Sequence, residues 1–297
     1  MIILTLMLFI LFDMTISNEK KTIPKLDIRD SDLVIDVTID NLFSKAIDKG
    51  VILIAEQIEE IQKKSKEYNV LPIKETDIVI FETNLGTMKI KLFNDIAPNH
   101  CLNFKKLSNS GFYDDTFIFR VIPDFIIQGG DILTRDSIKE NDGQGNPGWT
   151  INQEFNNKKH KKGIISMSRG SDINSAGSQF FICLGDAPHL DGKYTVFGEV
   201  VDNLNVLDVI SAIPSESEKM IKMSKKTIPD NENIDNWIEY EFNERILFFK
   251  IPNSSISRED YREYINQRIY DYDRPSIPVK IKKIRVVNEQ EIDKSNE

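Results

Sequence analysis

Cysteine is scarce in this chain of 297 residues: Cys101 and Cys183 stand far apart, in no CxxC or Cys/His cluster. That argues against a disulfide framework and against a thiolate metal site. Cys183 follows the apolar run Phe180, Phe181, Ile182 and reads as a small core residue, while Cys101 falls on a predicted helix. A chain of this size buries enough apolar surface to fold without cross-links. Positive charge is also in deficit, with 38 Lys and Arg against 47 Asp and Glu, a net charge of −9 and a pI near 5.1. Nucleic-acid binders present a basic face to phosphate, so no nucleic-acid partner is expected. The apolar run at residues 2–12 of MIILTLMLFILFDMTISNEKK is too short to span a bilayer and has the length of a signal-peptide core. Thr15 and Ser17 could serve at a cleavage site, although no Lys or Arg precedes the run. The expectation is export to the periplasm or cell envelope, with residues 1–17 a signal peptide or an uncleaved membrane anchor. A mis-assigned start would leave the protein cytoplasmic.

Catalytic hardware of the usual kinds is missing too. No HExxH is present, and His100, His160 and His189 are scattered. GQGNPG (143–148) matches GxGxxG, but Pro147 lies inside it and no helix pattern follows, which excludes a dinucleotide fingerprint. DNENID (230–235) lacks the glycine of a calcium loop. No cofactor and no metal are expected.

With 40% hydrophobic and 29% charged residues, the composition is that of a globular protein with one large domain or two small ones. LVIDVTID (33–40) alternates like a short strand. Residues 41–68 read as a helix, with Ile47, Val51, Ile54, Ile58 and Ile61 at helical spacing and Pro72 as a stop. DIVIFET (77–83) and MKIKLF (88–93) read as a hairpin. Residues 98–110 read as a helix with Pro98 in its first turn and Phe104 and Leu107 inward. Short strands are predicted at 117–122, 125–129, 163–168, 178–184 and 194–200, a second helix at 203–212 and a closing strand at 279–287. The pattern predicts a mainly β fold, an antiparallel barrel capped by two helices. Between the second helix and the closing strand come PSESEKMIKMSKK, read as a linker, the β-forming WIEYEFNERILFFKI (237–251), and a helix opened by Ser257 and Asp260 with a stripe of Tyr261, Ile265, Ile269 and Tyr272.

The candidate chemistry sits in RVIPDFIIQGGD (120–131), where an arginine heads and an amide ends an apolar run. Apolar residues punctuated by one cation and several amides suit a reaction without a covalent intermediate. Rotation about a prolyl peptide bond is one, with a barrier of about 18–20 kcal/mol set by amide resonance. A socket could hold the proline ring while a guanidinium, always charged and fork-shaped, donates to the prolyl nitrogen as the bond twists. The plainer alternative is that Arg120 salt-bridges an acid and Gln128 satisfies a buried backbone group.

FIFRVIPDFIIQGGD (117–131), SAGSQFFI (175–182) and HLDGKYTVFGEVV (189–201) resemble the three signature blocks of the cyclophilin family of peptidyl-prolyl cis-trans isomerases. The resemblance covers about residues 76–213 plus the closing strand. It implies a closed eight-stranded antiparallel barrel with two capping helices and a proline groove on its outer face. By resemblance, Arg120 is the catalytic arginine, Phe125 the pocket aromatic and Gln128 the substrate-backbone clamp. Ile126 replaces the usual methionine. Ser168 and Arg169 fall on the strand that pairs with the peptide. Gln179, Phe181 and Leu190 match the second glutamine, the pocket floor and the pocket leucine. Tyr194 stands for a common pocket histidine and His189 for the tryptophan of cyclosporin-sensitive members, so weak cyclosporin binding is expected. The 169–177 loop is one residue longer than in the best-known eukaryotic members, as in bacterial-like forms. The implied function is isomerisation of Xaa-Pro bonds in protein clients, assisting folding. The alternatives are a non-catalytic proline-segment binding module or chaperone, and a scaffold in the cell envelope. Residues 18–75 and 214–275 are read as accessory segments, the second an insert that the family lacks.

Overall fold

The computed structural model describes residues 53–136, 138–252 and 255–290. The proposed signal segment and the predicted 33–40 strand lie outside the described residues. The first described helix is α1 (Ala55–Glu67); residues 41–52 of the helix expected over 41–68 lie outside the described residues. Ile54 is its N-cap and is 60% exposed, whereas Ile58 is buried. The last residues before Pro72 leave the helix because Tyr68 turns to an extended conformation.

Eleven strands follow among the described residues. β1 (Asp77–Thr83) and β2 (Gly86–Leu92) form the expected hairpin. β3 (Phe117–Ile118) and β4 (Arg120–Ile122) are separated by Phe119 alone. Then come β5 (Ile126–Gly129), β6 (Ile164–Met167), β7 (Phe180–Cys183) and β8 (Val196–Asp202). β9 (Trp237–Phe242) and β10 (Arg245–Lys250) form a hairpin of their own, and β11 (Val279–Asn288) ends the sheet. The large sheet runs β3-β11-β1-β2-β8-β6-β7-β5-β4 with antiparallel pairing between neighbours. Its two outermost strands are consecutive on the chain, so the sheet curls round to meet itself. Counting β3 and β4 as one interrupted strand gives the eight strands expected.

Side chains alternate faces along a strand. Val79, Phe81, Met88, Ile90, Phe180 and Ile182 all fill the interior. Helix α2 (Pro98–Ser110) starts on Pro98, whose missing N–H is no loss in a first turn, and ends on Gly111 at φ 84. It presses Phe104 and Leu107, both fully buried, onto the barrel. Helix α3 (Asn205–Ser211) adds Val206, Leu207 and Ile210. Helix α1 leans on α2 through a Ser110–Ser65 hydroxyl hydrogen bond of 2.8 Å.

Residues 214–226, read as a linker, contain helix α4 (Glu216–Met223). Its reason is local: Ser215 and Glu218 form a reciprocal capping box, so the orphan N–H groups of even a short helix are satisfied. β9 and β10 are joined through Asn243 and Glu244, both at positive φ, as a tight hairpin requires. Helix α5 (Arg258–Ile269) is capped by Ser257 as expected. Tyr261, Ile265 and Ile269 are buried, but Tyr272 falls beyond the helix end and is exposed. Glu216 N–H donates to the Arg274 carbonyl, Ser217 N–H to that of Asp271 and Ser276 N–H to that of Pro214. The insert therefore leaves and re-enters the barrel through one zipped base. Its returning arm lies along β4, with Val121 N–H donating to the Asp273 carbonyl at 2.7 Å.

Candidate active site

The alternation that points Phe180 and Ile182 into the barrel points Phe181 and Cys183 out. On β5 it sends Ile126 and Gln128 to the same outer face, and on β4 Arg120. Register then aligns them: Arg120 pairs with Gln128, and Gln128 with Phe181. One row down, Ile126 sits opposite Cys183. Ile126, Phe181 and Cys183 form an apolar cluster separate from the barrel interior, with Phe125, Leu190 and Tyr194 packed against it. Phe125 arrives from the turn that leads into β5, Leu190 from a single turn of 3-10 helix at Pro188–Leu190, and Tyr194 from the loop before β8. The Phe181 and Tyr194 rings meet edge to face at 5.5 Å. These residues make a small apolar socket with a guanidinium at one border. That is what a proline ring with an adjacent polarised amide requires.

The polar border is a chain of hydrogen bonds. Arg120 Nη1 donates towards Gln128 Oε1 at 3.4 Å. Gln128 Nε2 donates to Gln179 Oε1 at 3.1 Å and to Ser168 Oγ at 3.3 Å. Gln179 Nε2 donates to the Gly143 and Gly145 carbonyls, each at 2.9 Å. This explains the GxGxxG-like stretch. It wraps the buried Asp131 carboxylate, which accepts from the backbone N–H groups of Leu133, Gly143 and Gly145. A Cβ on Gly145 would sit 1.8 Å from Asp131 Oδ1, so glycine is required there.

Ser168 and Arg169 lie just past the end of β6 rather than on it, a correction to the expected placement. Ser168 N–H still extends the ladder to the Gln179 carbonyl at 2.8 Å. The Arg169 guanidinium is committed sideways, donating to the Lys193 carbonyl and lying 4.9 Å from the Tyr194 ring. His189 stacks on Phe125 at 5.2 Å, forming the socket rim. Trp149 donates to Asn103 Oδ1 and packs in its loop.

Three participants are not legible in the sequence. Cys183 lines the socket, and burial pushes its thiol up to about 12, with Asp191 and Asp186 adding to the effect. It stays protonated and behaves as an apolar group. His160 lies beneath the floor, stacked on Phe181 at 5.8 Å. Burial holds its ring below the ordinary value against the pull of Asp191, whose carboxylate accepts the His160 backbone and ring N–H and is lowered to about 2. The ring's Nδ1 faces Asp191 and its Nε2 lies 3.1 Å from Ser166 Oγ, whose proton goes to the Thr195 carbonyl at 2.8 Å. The third is Asp273, on the returning arm of the insert, whose Oδ2 accepts from Arg120 Nε at 2.8 Å. Arg120 therefore does salt-bridge an acid, through one edge only. The pair is more than one-third exposed on both sides (37% and 42%), so it adds only about 0–1 kcal/mol of stability.

Residues 78–230 match the model of the family described as cyclophilin type peptidyl-prolyl cis-trans isomerase/CLD. The match spans more than half the chain and ends inside the insert. A peptidyl-prolyl cis-trans isomerase of Synechococcus elongatus is 44% identical over 124 residues, covering 42% of this chain and 80% of the relative. The isomerase cypE of Dictyostelium discoideum is 39% identical over 150 residues, covering 48% and 90%. A cyclophilin-type isomerase of Cryptosporidium parvum, crystallised in the presence of the dipeptide Ala-Pro, superposes with a TM-score of 0.48 at 26% identity, over 71% of this chain and 98% of that one. The chain belongs to the cyclophilin-type peptidyl-prolyl cis-trans isomerases. Its activity is the cis-trans isomerisation of prolyl peptide bonds.

Proposed function

We propose that Arg120 is the electrophile of this isomerase and that its substrates are Xaa-Pro segments of protein clients whose folding it assists. The socket of Phe125, Ile126, Phe181, Leu190 and Tyr194 takes the proline ring. Arg120 donates a guanidinium N–H to the prolyl nitrogen as the bond leaves planarity. In the planar amide that lone pair is delocalised and accepts poorly. In the twisted state it is localised and accepts well. The bond is therefore strongest where the barrier is highest, which is what lowers it. Gln128 and Gln179 hold the substrate backbone, and Gln128 can free its long bond to Ser168 to do so. Ser168 and Arg169 border the extended peptide. The observation that carries this reading is the register of Arg120, Gln128 and Phe181 across three neighbouring strands.

The test is cis-to-trans exchange on a short Xaa-Pro peptide. Arg120→Ala should lose roughly 10²–10³-fold in kcat/KM, the cost of deleting one preorganised donor. Exchange undiminished in a folded Arg120→Ala protein would refute the role. We also propose that the protein is exported and that residues 1–17 carry the signal. The apolar run at 2–12 supports this.

A further inference from the structure

We propose that Asp273, supplied by the insert at 214–275, is a positioning residue for Arg120, and that the returning arm of the insert is a built-in brace of the active site. The inference rests on Arg120 being the electrophile.

Arg120 needs such a brace. Its neighbour on β5, Gln128, is 3.4 Å from Nη1, at the long limit for a hydrogen bond. An arginine side chain on a strand edge carries several free torsions, and one long bond does not hold them. Asp273 takes the Nε–H at 2.8 Å and leaves the rest of the guanidinium to face Gln128 and the socket. Pinning Nε fixes the plane of the fork, so the aim of both Nη groups follows.

The arm is itself held in place by the backbone. The Asp273 carbonyl accepts from Val121, the residue next to Arg120. On its other side the arm is zipped to residues 214–217 at the base of the insert. The next residue, Arg274, donates through Nη1 to Asp142 Oδ2 at 2.5 Å and through Nη2 to the Lys139 carbonyl at 3.0 Å. Asp142 immediately precedes Gly143, whose carbonyl holds Gln179. Two adjacent residues of the arm thus grip the polar border from both ends: Asp273 at Arg120, and Arg274 at the loop behind Gln179. A decorative insert has no need to place an acid on the guanidinium and a base on that loop in consecutive positions.

Exposure of the pair decides what kind of effect to expect. A pair this open adds little to stability, so loss of Asp273 should leave the fold intact and change the aim of Arg120. The Asp273 carbonyl bond to Val121 survives any side-chain substitution, so the arm stays in place. Asp273→Ala and Asp273→Asn separate geometry from charge, because an asparagine oxygen still accepts from Nε–H.

The experiment compares wild type, Asp273→Ala, Asp273→Asn and Arg120→Ala in the full chain. It measures kcat and KM for an Xaa-Pro peptide and the Arg120 Nε–H signal by NMR. Asp273→Ala should lower kcat by about 10- to 100-fold, the scale of an ångström of misplacement, with KM and melting temperature held. Asp273→Asn should recover most of that loss, and the Nε–H signal should shift and broaden in the alanine variant only. Unchanged or raised kcat in Asp273→Ala would overturn the proposal, since the acid would then be idle or damping the charge. A loss confined to KM would overturn it as well. If Arg120→Ala is inactive while Asp273→Ala matches wild type, the brace fails and the electrophile stands. If Arg120→Ala keeps full activity, the electrophile itself fails.

Discussion

Phe180 and Phe181 are consecutive on β7 and should respond to the same substitution in opposite ways. Phe180 is fully buried inside the barrel and meets Phe81, Phe104 and Tyr113 edge to face at 5.7, 5.8 and 5.6 Å. Each such contact contributes about 0.5–1.5 kcal/mol beyond area burial. Replacing Phe180 by leucine keeps an apolar side chain but deletes all three, for an expected loss of about 2–4 kcal/mol. A domain stable by roughly 5–15 kcal/mol remains folded after that loss. Phe181 faces out, with the His160 stack below and Tyr194 at its edge, and its remaining side borders the socket. Phe181→Leu deletes two ring contacts and should cost about 1–3 kcal/mol of stability. Its larger effect should be on catalysis, because the floor under the proline ring changes shape. Reshaping an apolar pocket by about a methylene changes discrimination roughly 10- to 200-fold. Urea denaturation with the slope checked for constancy gives the stability terms. kcat/KM on a Xaa-Pro peptide, measured where every variant is folded, gives the catalytic ones. The expected pattern is a double dissociation, with Phe180→Leu less stable but active and Phe181→Leu more stable but impaired. Equal profiles for the two variants would refute the assignment of the outer cluster as the socket.

Acid should destabilise the protein early, through His100. Its Nδ1 lies 2.6 Å from Glu154 Oε2, its Nε2 is buried without a partner, and burial lowers its pKa from 6.5. Below about pH 6.5 the unfolded chain takes up that proton before the folded one does, so stability present at pH 7 is lost as pH falls, by at most about 1.4 kcal/mol per pH unit per histidine. His160, lowered in the same direction, adds to the slope. His100→Gln should flatten melting temperature against pH between 7 and 5, and an unchanged slope would exonerate His100. Export predicts that the mature protein begins near Asn18, read by N-terminal sequencing of protein taken from its source. An intact Met1 on the exported protein would exclude cleavage.

The barrel was legible because strand alternation and hairpin turns are local signals. DIVIFET and MKIKLF carry their inward rows in plain view, and Pro98 marks the start of α2 where the structure begins it. Elements whose signal is local but brief are harder to read. Helix α4 has a complete capping box, but its charged composition resembles a solvated linker. Of the helix expected over 41–68, residues 41–52 lie outside the described residues, and the described part is α1 (Ala55–Glu67) with Ile54 as its N-cap. The outer socket was reachable from family-like blocks, because each block carries its own part of the face.

Asp273 was not reachable in that way. Nothing in RIYDYDRP marks one acid as different from its neighbours, and its partner is far away in the chain. What brings them together is topology. The insert must return to β11, β11 pairs with β3, and β3 is continuous with β4 through Phe119. Any segment leading into β11 is therefore steered along β4 and past Arg120. An insert at this point in the barrel lies alongside the Arg120 edge by construction, whereas the same insert between β1 and β2 would not. If Arg120 is the electrophile as proposed, such a position lets added sequence act on it through one side chain while the barrel and its socket stay unchanged.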